Sequence, residues 1–260
     1  SHILSENKIK NIICGNFGKP VCLVNPYDKN VVIVELSSYQ LLSIPSLKID
    51  FGIITNISND HLDYHKNLIN YRNAKLNLFF KHLSKKGIGI VNTRIKYLNY
   101  IKNKLKEKKI KTIYFGKNIF YFYLENKKLK FKFFKNRNNI NNLKLNSAIE
   151  LENLECAIAC CFALGIDEKL IIKSLKSISN PPGRLQKILT KNKNINIFVD
   201  YAHTPDALKK ILINSTNKNN KPVVLFGCGG QRDKGKRALM GKVAFKYAKR
   251  AYITDDNPRF

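Results

Sequence analysis

The chain has 260 residues, 44% of them hydrophobic and 25% charged, and its 47 Lys and Arg against 18 Asp and Glu give a formal net charge of +29. That apolar fraction can fill one large core or two medium ones, which excludes a disordered chain. The charge by itself fits a nucleic-acid or anionic-membrane partner, yet the lysines are scattered with Asn and Ile through nearly every segment, as in Ile101 to Ile110, and surround no nucleic-acid motif. The composition is therefore read as a general bias with solvated lysines, and neither a nucleic-acid nor a membrane partner is expected.

The predicted elements begin with an amphipathic helix from Ser1 to Lys10 that starts abruptly, which is read as an N-terminal truncation. Apolar β-rich runs follow at Val31 to Val34, Phe51 to Ile54, Gly87 to Val91 and Thr112 to Phe115, with a helix from about Leu68 to Leu83 between the second and third. That order is the signature of parallel strands with crossover helices, an α/β class. Residues Ile119 to Leu145 alternate apolar residues with Lys and Asn and read as a small antiparallel β excursion. Helices are expected from about Glu150 to Leu164 and near Asp167 to Ile178, ending at the breaker cluster Asn180-Pro181-Pro182-Gly183. The domain boundary is placed there, giving a central domain over 1–180 and a second α/β domain over 181–260. The second domain carries buried-strand candidates at Ile195 to Val199 and Pro222 to Phe226, then Arg250 to Thr254, and stops at Phe260 in what reads as a cut C-terminus.

Six cysteines, Cys14, Cys22, Cys156, Cys160, Cys161 and Cys228, form no C-x-x-C pair and no spaced Cys/His set of the zinc type. They read as buried thiols of a reducing compartment. No signal-type start opens the chain, and no apolar run approaches the roughly 18 residues a membrane span requires. A cytoplasmic, monomeric protein is the expectation.

Three segments carry chemistry in the first half. Strand Val31 to Val34 delivers Glu35-Leu36-Ser37-Ser38-Tyr39-Gln40 at its C-terminal end, where open α/β sheets place ligands. A carboxylate there suits Mg²⁺, although by itself a Glu at a strand end is more often a cap or a surface charge. Strand Phe51 to Thr55 delivers Asn56-Ile57-Ser58-Asn59-Asp60-His61-Leu62-Asp63-Tyr64-His65, a polar group able to bind metal or orient phosphate, or to begin an Asx-capped helix. Lys75 follows on a helix, in Tyr71-Arg72-Asn73-Ala74-Lys75, where a lone lysine is by itself an ordinary solvated charge. In the second half, Gly227-Cys228-Gly229-Gly230 after a strand is a glycine-rich turn whose backbone N–H groups can approach an anion.

Taken in order, these segments resemble the central ATPase domain of the Mur ligases. The resemblance implies Glu35 and His61 as Mg²⁺ ligands, Lys75 as a carbamylated, acidic group beside a second metal ion, and Ser37 and Ser38 on the UDP-MurNAc-dipeptide. Gly183-Arg184-Leu185, Asp200-Tyr201-Ala202-His203-Thr204-Pro205, Gly227 to Arg237 and Thr254-Asp255-Asp256-Asn257-Pro258-Arg259 resemble the C-terminal domain of the same family. They imply a Rossmann-like α/β domain with Arg184, Asp200 and His203 toward ATP, joined by Asn153 from the central domain. Arg232, Asp256, Asn257 and Arg259 would hold the incoming amino acid, an Arg pairing bidentately with a carboxylate. Asp-Asn-Pro-Arg is the form that the resemblance associates with meso-diaminopimelate, added with ATP and Mg²⁺ to UDP-MurNAc-L-Ala-D-Glu. Ser37 to Leu47 resembles the D-glutamate-adding members instead, and a polyanion-binding fragment is the reading that charge alone offers. The family's phosphate loop and UDP-binding domain would precede Ser1, so the chain by itself is expected not to turn over.

Overall fold

The computed structural model describes the chain except Pro26, Lys29, Asn59, residues 117–118, 125–126 and 132–147, Asn180, and residues 192–193, 217–219, 231–232 and 259–260. It divides into two units, the first comprising Ser1–Ile57, Arg72–Asn146 and Glu150–Ile178, the second Ser58–Tyr71, Ser147–Ile149 and Ser179–Phe260.

In chain order the first unit holds α1 (His2–Glu6), β1 (Asn11–Gly15), β2 (Val31–Glu35), α2 (Gln40–Ser43) and β3 (Ile49–Ile54). The helix α3 (Leu62–His65) belongs to the second unit, and α4 (Leu68–Phe80) to the first from Arg72 onward. Then come β4 (Leu83–Asn92), α5 (Leu98–Glu107), β5 (Lys111–Gly116), β6 (Ile119–Leu124), β7 (Lys127–Phe131), α6 (Ala148–Ala163) and α7 (Glu168–Ser174). One sheet has the order β3-β4-β5-β6-β7, parallel across its first three strands and antiparallel across the rest. The helices α4 and α5 are the crossovers that parallel pairing demands. The expected antiparallel excursion is present through Phe131, and its remainder to Leu145 lies outside the described residues. β1 and β2 pair in parallel as a separate ribbon.

Several elements were not anticipated from the sequence, among them β1, α2, α5 and β8 (Gln186–Ile188). β1 is five residues without a turn signal ahead of it, and α5 lies within the lysine-rich run. Its helical period shows only in Ile101 and Leu105, an i,i+4 pair that is 0% and 1% exposed.

Successive residues of a strand face opposite sides of a sheet, and both faces of β3-β4-β5 are used. On one, Ile90, Ile113 and Phe115 pack with Leu154, Ile158 and Ala159 of α6, Ile171 of α7 and Ile3 and Leu4 of α1. On the other, Gly52 and Gly89 stand directly opposite each other in the β3-β4 register. A Cβ at Gly52 would come within 3.1 Å of the Phe79 ring and one at Gly89 within 3.4 Å. The glycine pair thus forms a shallow floor on which Phe79 of α4, 2% exposed, lies against the sheet.

The second unit contains the antiparallel hairpin β8 (Gln186–Ile188) and β9 (Ile197–Val199), then α8 (Pro205–Asn214), β10 (Val223–Phe226), α9 (Gly235–Tyr247) and β11 (Arg250–Ile253), with β10 and β11 parallel. Leu208 and Leu212 of α8, Met240 of α9 and Ala248 form its core, with Val224 and Phe226 against them. The run Ile195 to Val199, expected as a buried strand, is an exposed hairpin arm: Ile197, Phe198 and Val199 are 39–47% exposed. A short apolar run does not distinguish a buried strand from one arm of a surface hairpin, because pairing, not hydropathy, decides it. Among the described residues no helix is long and apolar enough to cross a membrane.

The cysteines depart from expectation in burial alone, most clearly at Cys22. All six are free, Cys14 and Cys161 are buried, Cys156, Cys160 and Cys228 are half-buried, and Cys22 is exposed. Burial pushes the Cys161 thiol up to about 11, and a hydrogen bond with Cys156, together with burial, raises Cys160 well above the ordinary thiol range. The thiolate is the reactive form, so at pH 8 a maleimide should label Cys22 first and Cys14, Cys160 and Cys161 last, with Cys161 labelling accelerating only as pH rises toward 11, as read by peptide mass spectrometry. Truncating Phe79 to Ala should destabilise the first unit by about 3–5 kcal/mol in chemical denaturation.

Candidate functional site

In the first unit, the ends of β2, β3, β4 and β5 converge on one requirement: backbone groups leaving a strand have to find partners. Glu35 ends β2 with an exposed side chain. Immediately after it, Ser37 and Gln40 form a reciprocal hydrogen-bonded pair. The Ser37 N–H and Oγ donate to Gln40 Oε1 at 2.8 and 3.0 Å, and the Gln40 N–H reaches Ser37 Oγ at 3.3 Å. Ser38 is buried at 2% exposure. At the end of β3, Asn92 Nδ2 donates to the Thr55 carbonyl at 3.1 Å and Lys75 Nζ to the Asn56 carbonyl at 3.2 Å. Two side chains from different elements therefore hold consecutive carbonyls of the loop that leads toward His61. A carbamate at Lys75 would keep one N–H on that nitrogen and extend two oxygens beyond it, so the bond to Asn56 is compatible with either form. Asn153 stands exposed on α6.

In the second unit, His61 has left-handed backbone, φ 54 and ψ 31, and precedes α3. A non-glycine residue there stores on the order of 1–3 kcal/mol, a feature that clusters at ligand sites. The Asp60 carboxylate lies 3.5 Å from His61 Nε2 and 3.9 Å from His203 Nε2, so one acid stands between two imidazoles. Burial holds the His61 imidazole below its usual range against the pull of Asp60 and Asp63, which keeps a neutral ring nitrogen available as a ligand. His65 is different: it is 5% exposed, packed between Tyr64 and Tyr71 with ring centroids at 4.9 and 5.3 Å, and burial lowers its pKa as well. It is a core residue of this segment.

Asp200, expected to face a nucleotide, joins two loops. Its Oδ2 accepts the Leu185 N–H and its Oδ1 the Ala202 N–H, each at 2.8 Å, while the Tyr201 N–H donates to the Gly183 carbonyl at 2.9 Å. Arg184 lies 5.5 Å over the Tyr201 ring, whose edge meets His203 at 5.5 Å. Arg184, Asp200, His203, Asp60 and His61 thus belong to one cluster of loops. Thr204 then caps α8, accepting from Ala207 N–H with Pro205 in the first turn.

The glycine-rich turn after β10 meets the loop after β11. Gly229 bridges Asp256, Gly230 N–H donates to Asn257 O at 3.1 Å, and Thr254 N–H donates to Phe226 O at 3.1 Å. A Cβ on Gly227 would lie 2.6 Å from Thr254 O, and one on Gly230 would overlap the Pro258 carbonyl. Neither glycine has positive φ; what demands them is backbone-on-backbone contact. Asp233 Oδ1 accepts the Gly235 N–H at 3.0 Å at the start of α9, and Arg237 Nη2 donates to Gly229 O at 3.3 Å. Asp256 and Asn257 are exposed, Asn257 with φ 45. Arg232 and Arg259 lie outside the described residues.

Glu35 and Lys75 belong to the first unit and His61 to the second. Among the described residues no group of three or more His, Cys, Asp or Glu side chains is close enough to hold a metal ion. Taken by donor chemistry alone, the Glu35 carboxylate suits a hard divalent ion, whereas the His61 imidazole is a borderline ligand. Asp60 and Asn92 are the residues that motif reading passed over. Asp60 was visible beside His61, but its reach to His203, 143 positions on, was not.

Residues 19–161 match the Mur ligase middle domain, and residues 183–260 match the Mur ligase glutamate ligase domain. The chain is 39% identical over 238 residues to the UDP-N-acetylmuramoyl-L-alanyl-D-glutamate–2,6-diaminopimelate ligase of Rickettsia conorii, an alignment covering 88% of this chain and 49% of that protein. The chain spans about half the length of the curated relatives it matches. A solved structure of a ligase of the same name superposes with TM-score 0.57 at 24% identity, covering 99% of this chain and 58% of that one. The MurF ligase of Thermotoga maritima in complex with ADP gives TM-score 0.61 at 13% identity, covering 97% and 68%.

Two glycines separate packing from propensity. Gly230→Ala should destabilise the second unit by more than about 1 kcal/mol, because the methyl group meets the Pro258 backbone. Gly241, within α9 with nothing within 4 Å of its Cβ position, should gain roughly 0.5–1 kcal/mol on change to Ala. Paired thermal and denaturant melts read both.

Proposed function

The chain belongs to the Mur ligase family, carrying its middle domain and its glutamate ligase domain, and from that premise we propose that it works as part of an ATP-dependent, ADP-forming ligase of the cytoplasm that adds meso-diaminopimelate to UDP-MurNAc-L-Ala-D-Glu. The observation that carries the choice is the loop after β11. Asp256 and Asn257 are exposed at the carboxyl edge of β10 and β11 and are held there by the backbone of Gly229 and Gly230. Relatives 33–40% identical bear the diaminopimelate ligase name.

In this reading the central domain runs over 1–180 and the amino-acid domain over 181–260, with the boundary at the breaker cluster Asn180-Pro181-Pro182-Gly183. Glu35 and His61 hold Mg²⁺, and the Lys75 carbamate supports a second ion. Bound divalent ions would supply charge neutralisation to the phosphoryl group that passes from ATP to the D-glutamyl carboxylate. The chain's own residues position and shield. Arg184, His203 and Asn153 contact the nucleotide, and Asp200 holds the loop that carries Arg184 to the one that carries His203. Asp256 and Asn257 accept from the ammonium group of the amino acid, while Arg232 and Arg259 meet its carboxylates. The amine then attacks the acyl phosphate and phosphate leaves, with water excluded once the substrates are enclosed.

The D-glutamate-adding alternative rests on Ser37 to Leu47. Ser37 and Gln40 are hydrogen-bonded to each other just before and at the start of α2, which gives these two positions of that run a local structural use as well. Ser37 and Ser38 remain our candidates for the UDP-MurNAc-dipeptide contact.

Phosphate release by the full-length gene product, supplied with ATP and UDP-MurNAc-L-Ala-D-Glu, should depend on meso-diaminopimelate and not on L-lysine. Arg259→Lys should lower kcat/KM for diaminopimelate by roughly 10–100-fold, because an ammonium cannot reproduce the bidentate carboxylate pair. Release with D-glutamate on UDP-MurNAc-L-Ala, and none with diaminopimelate, would assign the other member.

A further inference from the structure

The run Asn92-Thr93-Arg94 at the carboxyl end of β4 reaches three separate elements within three residues. Asn92 holds the Thr55 carbonyl after β3, Thr93 N–H donates to the Phe115 carbonyl of β5 at 2.8 Å, and Arg94 crosses to α6. On α6, Arg94 Nη1 meets Glu155 Oε2 at 2.6 Å, and its Nε lies 3.5 Å from Glu152 Oε1. The Arg94 backbone is anchored as well, its N–H donating to Asn92 Oδ1 at 2.9 Å. Gly116, with φ 139, leaves room for the crossing: a Cβ there would overlap Thr93 Oγ1 and lie 3.1 Å from Arg94 Nη1.

The burial is uneven. The Glu155 side chain is 1% exposed and that of Arg94 27%. A carboxylate withdrawn from water is costly unless paired, and an apolar pair of similar volume commonly serves stability as well or better. A charged clamp at this position therefore points to placement. Its two acids, Glu152 and Glu155, flank Asn153 on α6, the residue assigned above to the nucleotide.

We propose that Arg94 is a positioning residue for nucleotide binding: through Glu155 and Glu152 it fixes α6 against the carboxyl end of β4 and so sets where Asn153 stands. The role rests on the ligase reading above. In this role Arg94 acts through its ion pairs to α6.

The test uses the full-length gene product and the variants Arg94→Met, Arg94→Lys, Glu155→Gln and the exchange Arg94→Glu with Glu155→Arg. Loss of folded protein lowers apparent kcat and leaves KM alone, whereas a displaced contact raises KM for its own ligand. Arg94→Met and Glu155→Gln should raise KM for ATP about tenfold, the scale of one charge-assisted hydrogen bond, with kcat and KM for diaminopimelate within about twofold. Arg94→Lys and the exchange should recover part of the loss. Binding of a fluorescent ATP analogue, measured separately from turnover, should weaken in parallel. Arg94→Met with unchanged nucleotide affinity, or with every KM raised alike, overturns the positioning role and leaves the ligase reading standing. A wild-type protein that binds no ATP overturns both.

Discussion

A parallel strand ends with backbone groups that its sheet no longer satisfies, and nearly every feature of this chain's loops answers that constraint. Asn92 and Lys75 take the carbonyls of Thr55 and Asn56, Thr93 takes that of Phe115, and Asp200 takes the N–H groups of Leu185 and Ala202. Where no side chain serves, another loop does: Thr254 meets Phe226 and Gly230 meets Asn257. Each such bond contributes about 0.5–1.5 kcal/mol net, but leaving a buried partner unmade costs more, so the loops are held in place more by the penalty of release than by the bond itself. Functional side chains at strand ends inherit this rigidity.

Much of the fold was legible because hydrophobic periodicity is read locally. The strands ending at Glu35, Ile54 and Phe226 and the helices over α4 and α6 followed from apolar spacing, and the motif residues lie at strand ends as expected. What escaped was settled by partners distant in sequence. β1 exists because β2 pairs with it, β9 is a hairpin arm because β8 lies beside it, and α5 shows only in which two of its residues are buried.

The candidate site divides in the same way. Residue types at strand ends pointed to Glu35 and His61 as candidates for chemistry, and only the resemblance to the Mur ligases added Lys75 and the Asp256–Asn257 loop. Their supports did not stand out, since an Asp between two histidines or an Asn under a carbonyl is ordinary in sequence. Asp200 shows the reverse: a residue selected for ligand chemistry has both oxygens engaged by its own backbone. The glycines of the turn after β10 likewise serve contact between loops before they serve an anion.

That contact has a consequence for how the protein can vary. Because Gly227 and Gly230 touch the backbone of Thr254 and Pro258 directly, the turn after β10 and the loop after β11 are a single mutational unit. A side chain added on one strand end has to be matched by a shift of the other, so changes of amino-acid preference would spread through exposed positions such as Asp256 and Asn257 while the glycines stay fixed. Lineages that diverge in substrate would be expected to keep the turn and exchange the residues displayed on it.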